Sequence, residues 1–353
     1  MDEIQKAKLL ADMKKYPCHY SREDMYTYID CGILTYEDLV LNSNILDEKG
    51  FRHIIEYPHL VDEMEQTPIC PLKVEMPTPG NIDILPFGTS GSGGKTSLLA
   101  ALMTLFDNKS FVLNESSGAV YARYLSRHMF ANCLLPATCV SYIQVINTSL
   151  RGNKVWHGVT FVEFSGEKAS QIAGDKEAVF VSQNIGENYY DLLNNNNGKI
   201  LLFAIDMSNK KQTPLYGIDD LWGYQSDVAE LWADRLKKDK EFCKKIVAIK
   251  IVVTKKDMWN FQSSRQAINA IVENGYQLFY DTILKICHEY GIMEYNNFMP
   301  EVIPFSIGKF MPGNVYIFDD SDARILLDSI RRDLDYHYAN QGVMNKLRRI
   351  FKM

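Results

Sequence analysis

The chain has 353 residues, 46% hydrophobic and 23% charged, an ordinary globular composition with enough length for one large α/β core and a small appendage. A formal net charge of -6 argues against wholesale electrostatic binding of nucleic acid, which needs clustered lysine and arginine facing phosphates. Seven scattered cysteines without a CxxC pair argue against a zinc site or redox dithiol, and a reducing cytoplasm fits them best.

The first sixteen residues are interrupted by charges at nearly every turn, so they do not read as a signal peptide. No stretch approaches the roughly 18 apolar residues that a membrane span needs. Residues 1–67 read as a helical domain, with apolar positions at helical spacing in Ile4–Met13, Met25–Ile29, Tyr36–Leu41 and Phe51–Ile55. Ser21 and Thr35 stand before acidic residues as N-caps. So short a segment is marginal alone and is expected to dock on the larger domain. Pro68, Pro71, Pro77, Pro79 and Gly80 break helix and sheet alike, which places a linker at 68–80.

Residues 81–353 read as the main domain. Strands are expected at Ile82–Phe87, Cys139–Asn147, Thr160–Phe164, Ile200–Ile205, Val247–Val253 and Val302–Phe305, with a helix over Lys95–Phe106. That alternation predicts an α/β fold, a mostly parallel sheet covered on both faces, with ligands beyond the carboxyl ends of the strands. The run Asn194–Asn197 with Gly198 reads as a loop before a buried strand. The basic stretch Asn345–Met353 reads as the solvated end of a last helix, with a tail touching a membrane surface as the alternative.

After the first strand comes Gly88-Thr-Ser-Gly91-Ser92-Gly93-Gly94-Lys95-Thr96-Ser97, close to the phosphate-loop pattern GxxxxGK[ST]. Glycines let successive backbone N–H groups turn towards phosphate oxygens, Lys95 reaches the β/γ-phosphates, and the Thr96 hydroxyl is a Mg²⁺ ligand. The helix that follows aims its positive end at the anion. Counted back from Lys95, the first glycine of the pattern falls on Thr89, and Gly88 stands one residue early.

The strand ending at Val253 runs into Thr254-Lys255-Lys256-Asp257, which resembles the [NT]KxD motif of the GTP-binding branch of P-loop proteins. In that family the aspartate accepts two hydrogen bonds from guanine and the lysine stem lies along the base. Adenine lacks that donor pair, so Asp257 is the residue that separates GTP from ATP. The same resemblance calls for DxxG after a strand, and Glu163-Phe-Ser-Gly166 takes that place with glutamate for aspartate. Glu163 is then the Mg²⁺ carboxylate and the Gly166 N–H senses the γ-phosphate. Thr138 is the switch threonine by position, and Ser306 opens the loop after the last strand, where guanine O6 is met.

Taken together, these motifs resemble the Ras-like, translation-factor class of P-loop GTPases, and within it bacterial GTPase-domain proteins of conflict-system or secretion-type operons. The resemblance implies a P-loop NTPase three-layer sandwich that binds GTP or GDP with Mg²⁺ and hydrolyses GTP slowly as a switch. From Lys95 to Asp257 is 257 − 95 = 162 residues, which implies insertions, placed at 107–134, 168–197 and 208–245 as partner-facing or self-associating surfaces. Protein partners, through these loops and the N-terminal helices, are expected rather than nucleic acid. No water-orienting glutamine follows Gly166, although Glu167 and Gln171 lie near, and Arg123, Arg127 and Arg151 stand in segments able to approach the nucleotide. Two other readings stay open: a P-loop ATPase or kinase, if TKKD is an accident, and a scaffold with a degenerate loop, suggested by the displaced glycine and by Glu163.

Overall fold

The computed structural model describes residues 3–43, 47–56, 75–88, 94–106, 110–130, 135, 143–164, 192–207, 213–214, 222–259, 261, 263–311 and 315–351. At the amino end four helices, α1 (Glu3–Lys15), α2 (Arg22–Asp30), α3 (Tyr36–Ser43) and α4 (Glu48–Glu56), gather round their own small core. Met13, Met25, Leu34, Leu39, Phe51 and Ile55 fill it. Ser21 caps α2 reciprocally: its hydroxyl accepts from the Asp24 N–H at 3.1 Å and its N–H donates to Asp24 at 2.7 Å. Thr35 and Asp38 repeat the device at the start of α3, at 3.2 and 2.8 Å. A single 3₁₀ turn, Pro17–His19, joins α1 to α2 and packs against the larger domain.

That domain begins with β1 (Ile82–Phe87) and α5 (Lys95–Met103), then β2 (Phe111–Leu113), α6 (Ser117–Phe130), β3 (Ile143–Arg151), β4 (Trp156–Phe164) and β5 (Gly198–Ile205). A two-residue ribbon follows, β6 (Thr213–Pro214) with β7 (Trp222–Gly223), then α7 (Gln225–Lys238), α8 (Lys240–Cys243), β8 (Ile246–Val253), α9 (Ser264–Ile271) and α10 (Gln277–Tyr290). The chain ends in β9 (Glu301–Pro304), the hairpin β10 (Gly308–Met311) and β11 (Val315–Phe318), and the long α11 (Ser321–Phe351). Seven strands form one sheet in the order β2-β3-β4-β1-β5-β8-β9. From β4 to β9 every neighbour is parallel, whereas β3 is antiparallel to both β4 and β2. The fold is α/β, with a mostly parallel seven-stranded sheet.

The central strands explain themselves. β1 is buried along its whole length, and β5 and β8 nearly so, because helices cover both faces and leave no side to alternate towards water. Pairing of β1 with β4 stops at Ile84 against Phe161, just before Pro86, which has no N–H to extend a ladder. Pairing with β5 continues to Phe87. β1 and β4 therefore part near their carboxyl ends, between the first loop and Glu163.

Two expected insertions prove to be framework. Helix α6, inside 107–134, buries Ala119, Tyr121, Ala122, Leu125 and Met129. Helices α7 and α8, inside 208–245, bury Val228, Trp232, Ala233, Leu236, Phe242 and Cys243 in the same core. Apolar spacing of that kind marks a helix lying on a sheet rather than a loop facing a partner. Of the second strand expectation, 139–147, residues 143–147 lie in β3, which runs on to Arg151, and 139–142 lie outside the described residues; the short edge strand β2 and the β10–β11 hairpin were not anticipated.

Candidate functional site

Glycine is required on both sides of the first loop. Gly88 follows β1 at a φ of +155°, where a Cβ would lie 2.7 Å from the Ala204 carbonyl oxygen on β5. Gly94 precedes α5 in the left-handed region at a φ of +69°, which a side chain disfavours. The glycine that stands early against the sequence pattern is therefore demanded by the strand next door. Gly91, Ser92 and Gly93 lie outside the described residues, as do Thr138 and Gly166.

Lys95 is buried, and its ammonium donates to the Gly88 carbonyl at 3.2 Å, turning back across the mouth of the loop. Thr96 faces the other way. Its hydroxyl donates to one carboxylate oxygen of Glu163, and the Tyr121 hydroxyl of α6 donates to the other. Glu163 is 1% exposed. So the threonine and the glutamate assigned to the metal from the sequence are brought together across 67 residues, with hard oxygen donors suited to Mg²⁺. Among the described residues no group of three or more His, Cys, Asp or Glu side chains could hold a metal by itself. A single carboxylate and a hydroxyl suit an ion whose remaining ligands are phosphate oxygens and water.

The TKKD loop is fixed from three sides. Thr254 donates its N–H and hydroxyl to the Ile205 carbonyl, at 2.9 and 3.1 Å, tying the end of β8 to β5. Lys255 takes a left-handed backbone, φ +56°, and its ammonium meets the buried Asp206 at 2.7 Å. Lys256 donates to Asp322, in the first turn of α11, and Asp322 also accepts from the Ser306 N–H at 2.8 Å and hydroxyl at 3.2 Å. One buried carboxylate thus clamps the TKKD loop to the loop after β9.

Asp257 is left facing the space between them. Its side chain reaches solvent, yet desolvation by the surrounding protein pushes the carboxyl above its ordinary range. A hydrogen bond from its own backbone N–H and the charge of Lys255 oppose that rise, and the nearby Asp206 and Asp322 add to it. Gly94, Ser97, Thr254, Lys255, Asp257 and Ser306 all line one open cleft, with Met258, Phe305, Ile307 and Pro17 as its apolar walls. The phosphate-loop helix and the TKKD loop therefore share one pocket.

Sequence reasoning missed Tyr121, Asp206, Asp322 and Pro17. Asp206 carried a signal, an acid directly after a buried strand, at the end where such sheets bind ligands. Arg151 is corrected. Because β3 runs antiparallel, its carboxyl end pairs with Trp156 at the start of β4, at the opposite end of the sheet from Glu163. Arg123 pairs with Glu115 at 2.7 Å, and Arg127 is exposed.

No family model and no curated protein matches the sequence. Solved structures similar to it include the Roco2 RocCORdC of Methanosarcina barkeri bound to GDP, at 12% identity and a TM-score of 0.34, over 75% of this chain and 52% of that one. A structure assigned to nucleolar GTP-binding protein 1 of Plasmodium falciparum shares 11% identity at a TM-score of 0.36, over 77% of this chain and 97% of that one. The signal recognition particle receptor SRb-GTP/SRX complex of Chaetomium thermophilum shares 16% at 0.35, over 74% and 99%. This chain spans about half the length of the Roco structure. No described helix is long and apolar enough to cross a membrane.

Proposed function

We propose that the chain binds guanine nucleotides and hydrolyses GTP slowly, as a switch within a multiprotein system. The observation that carries this is the single cleft shared by Gly94, Ser97, Lys255, Asp257 and Ser306. Lys95 and the turn at Gly94 take the phosphates, and Asp257 accepts from the guanine N1–H and amino group. The Lys255 stem lies along the base, held there by Asp206. Thr96 and Glu163 are the residues that would hold Mg²⁺, which when bound offsets charge on the β- and γ-phosphates. Glu163 orients the Thr96 hydroxyl, and Tyr121 holds the far carboxylate oxygen so that one edge of Glu163 faces Thr96. Thr138 and Gly166 remain the proposed partners at the γ-phosphate.

A thermal-shift panel tests the binding. Ligand at 100-fold excess over Kd stabilises the folded state by about 2.7 kcal/mol, so GDP and GTP should raise the melting temperature while ADP and ATP do not. The shift should vanish in Lys95→Ala and in Asp257→Asn. Equal shifts with adenine nucleotides, or shifts unchanged in both variants, would overturn the assignment. A second reading, a nucleotide-binding scaffold without turnover, is favoured by one observation: both Glu163 oxygens are already engaged by protein hydroxyls. Single-turnover GTP cleavage by wild type and Tyr121→Phe decides it, since no cleavage by either at any protein concentration would select the scaffold.

A further inference from the structure

The base pocket has a wall that does not belong to the nucleotide-binding domain. Pro17, in the turn between α1 and α2, is buried and lines the same cleft as Asp257, Lys255 and Ser306. The turn packs on β10, immediately after the Ser306 loop. Proline opens the turn with a fixed φ, so the ring is presented rigidly. Behind it, α1 and α2 are tied into the separate core of Met13, Met25, Leu34 and Phe51. A displacement at Pro17 is therefore passed to a packed four-helix body rather than absorbed by a loose tail.

We infer that the N-terminal helices complete the purine site, Pro17 covering the face of the base opposite the Lys255 stem, so that their seating and nucleotide occupancy are coupled. This rests on the reading of the cleft as a guanine site. It adds an apolar contact of the kind a base takes and a phosphate does not. By thermodynamic reciprocity, whatever a seated module adds to base affinity, a bound base returns to the seating of the module. A partner that pulls the helices away would then release nucleotide, and one that clamps them would retain it.

The test uses the full chain and two probes, GDP and inorganic tripolyphosphate, which occupies the phosphate loop without a base. Removing the apolar wall in Pro17→Gly should weaken GDP roughly fivefold. The loss should lie mainly in a faster off-rate, with tripolyphosphate unchanged. Pro17→Ala should lose less. In wild type, GDP should slow amide exchange at residues 18–20 while tripolyphosphate does not, a measurement that stands even if the glycine variant misfolds. Undiminished GDP affinity in both variants with no protection at 18–20 would overturn the inference and leave the guanine reading intact. An equal loss of both probes would also overturn it, by showing that Pro17 supports the fold and not the base. Absence of GDP binding to wild type would instead sink the guanine reading itself.

Discussion

The two ends of the sheet carry buried charges, and they treat them differently. At the amino ends of the strands, Asp83 on β1 and Lys199 on β5 meet at 2.5 Å with both side chains fully buried. Asn195 and Asn197 take the remaining valences: Asp83 accepts from both, at 2.8 and 2.9 Å, and Lys199 also donates to Asn195. The cluster is closed on itself. At the carboxyl ends of β5 and β8 the charges are held by one side only, whereas Glu163 at the end of β4 has both oxygens engaged. Lys255 and Lys256 are each about one-third exposed while their partners Asp206 and Asp322 are buried, and Asp257 faces the cleft. Saturation marks framework, and a charge held on one side only marks a place for a ligand.

The largest test of that contrast is Lys199→Met. It leaves Asp83 buried without its cation, which costs about 3–5 kcal/mol by comparison with other broken buried pairs. Urea unfolding should show it, while the GDP affinity of protein still folded should stay within about twofold of wild type. Unchanged stability would mean that the pair does not support the framework, and the contrast would fail. Asp257→Asn should do the reverse. Losing a charge-assisted acceptor costs roughly 2–3 kcal/mol, about 30- to 150-fold in GDP affinity by calorimetry. Stability should hold or rise, because the folded protein no longer carries a desolvated carboxylate.

The contrast also explains what was legible in the sequence. Strands β1, β5 and β8 were, because burial on both faces writes itself as an unbroken apolar run. Lys95, Thr96 and Asp257 stood out as candidates because each sits in a local motif that follows such a strand. The framework cluster was not: Asn195 and Asn197 read as a low-complexity loop, since their partner Asp83 lies 112 and 114 residues away. Asp322 was hidden for the same reason, 66 residues from Lys256. The supposed insertion at 208–245 was misread because residues following a strand were assigned by motif distance, although Val228, Trp232 and Leu236 already showed helical spacing. Gly88 was judged against a pattern, when the constraint on it comes from Ala204 on the neighbouring strand.

At the edge of the site, Gly94→Ala should cost about 1–2 kcal/mol of stability, the penalty for a side chain in the left-handed region. It should also weaken GDP, since the turn that strains is the one entering α5. Equal stability to wild type would show that the backbone at Gly94 relaxes to another conformation once a side chain is present, and that this end of the loop is not fixed.

The smallest effect is a pH dependence, and its sign follows from which form of Asp257 guanine selects. Binding needs the carboxylate, because only the ionised form accepts from both guanine donors. Desolvation already holds this carboxyl above its ordinary range in the free protein. The contribution of Asp257 to GDP affinity should therefore be constant at pH values above the raised pKa and fall as pH drops through it, by up to tenfold per unit beneath, about 1.4 kcal/mol. The fall should begin at a higher pH than the ordinary aspartate value near 3.9 would give. Calorimetric titrations from pH 7.5 to 5 should show a steeper decline in wild type than in Asp257→Asn, which keeps only the dependence contributed by protonation of the nucleotide's terminal phosphate. An equally steep decline in the asparagine variant would show that Asp257 is not the pH-sensitive group.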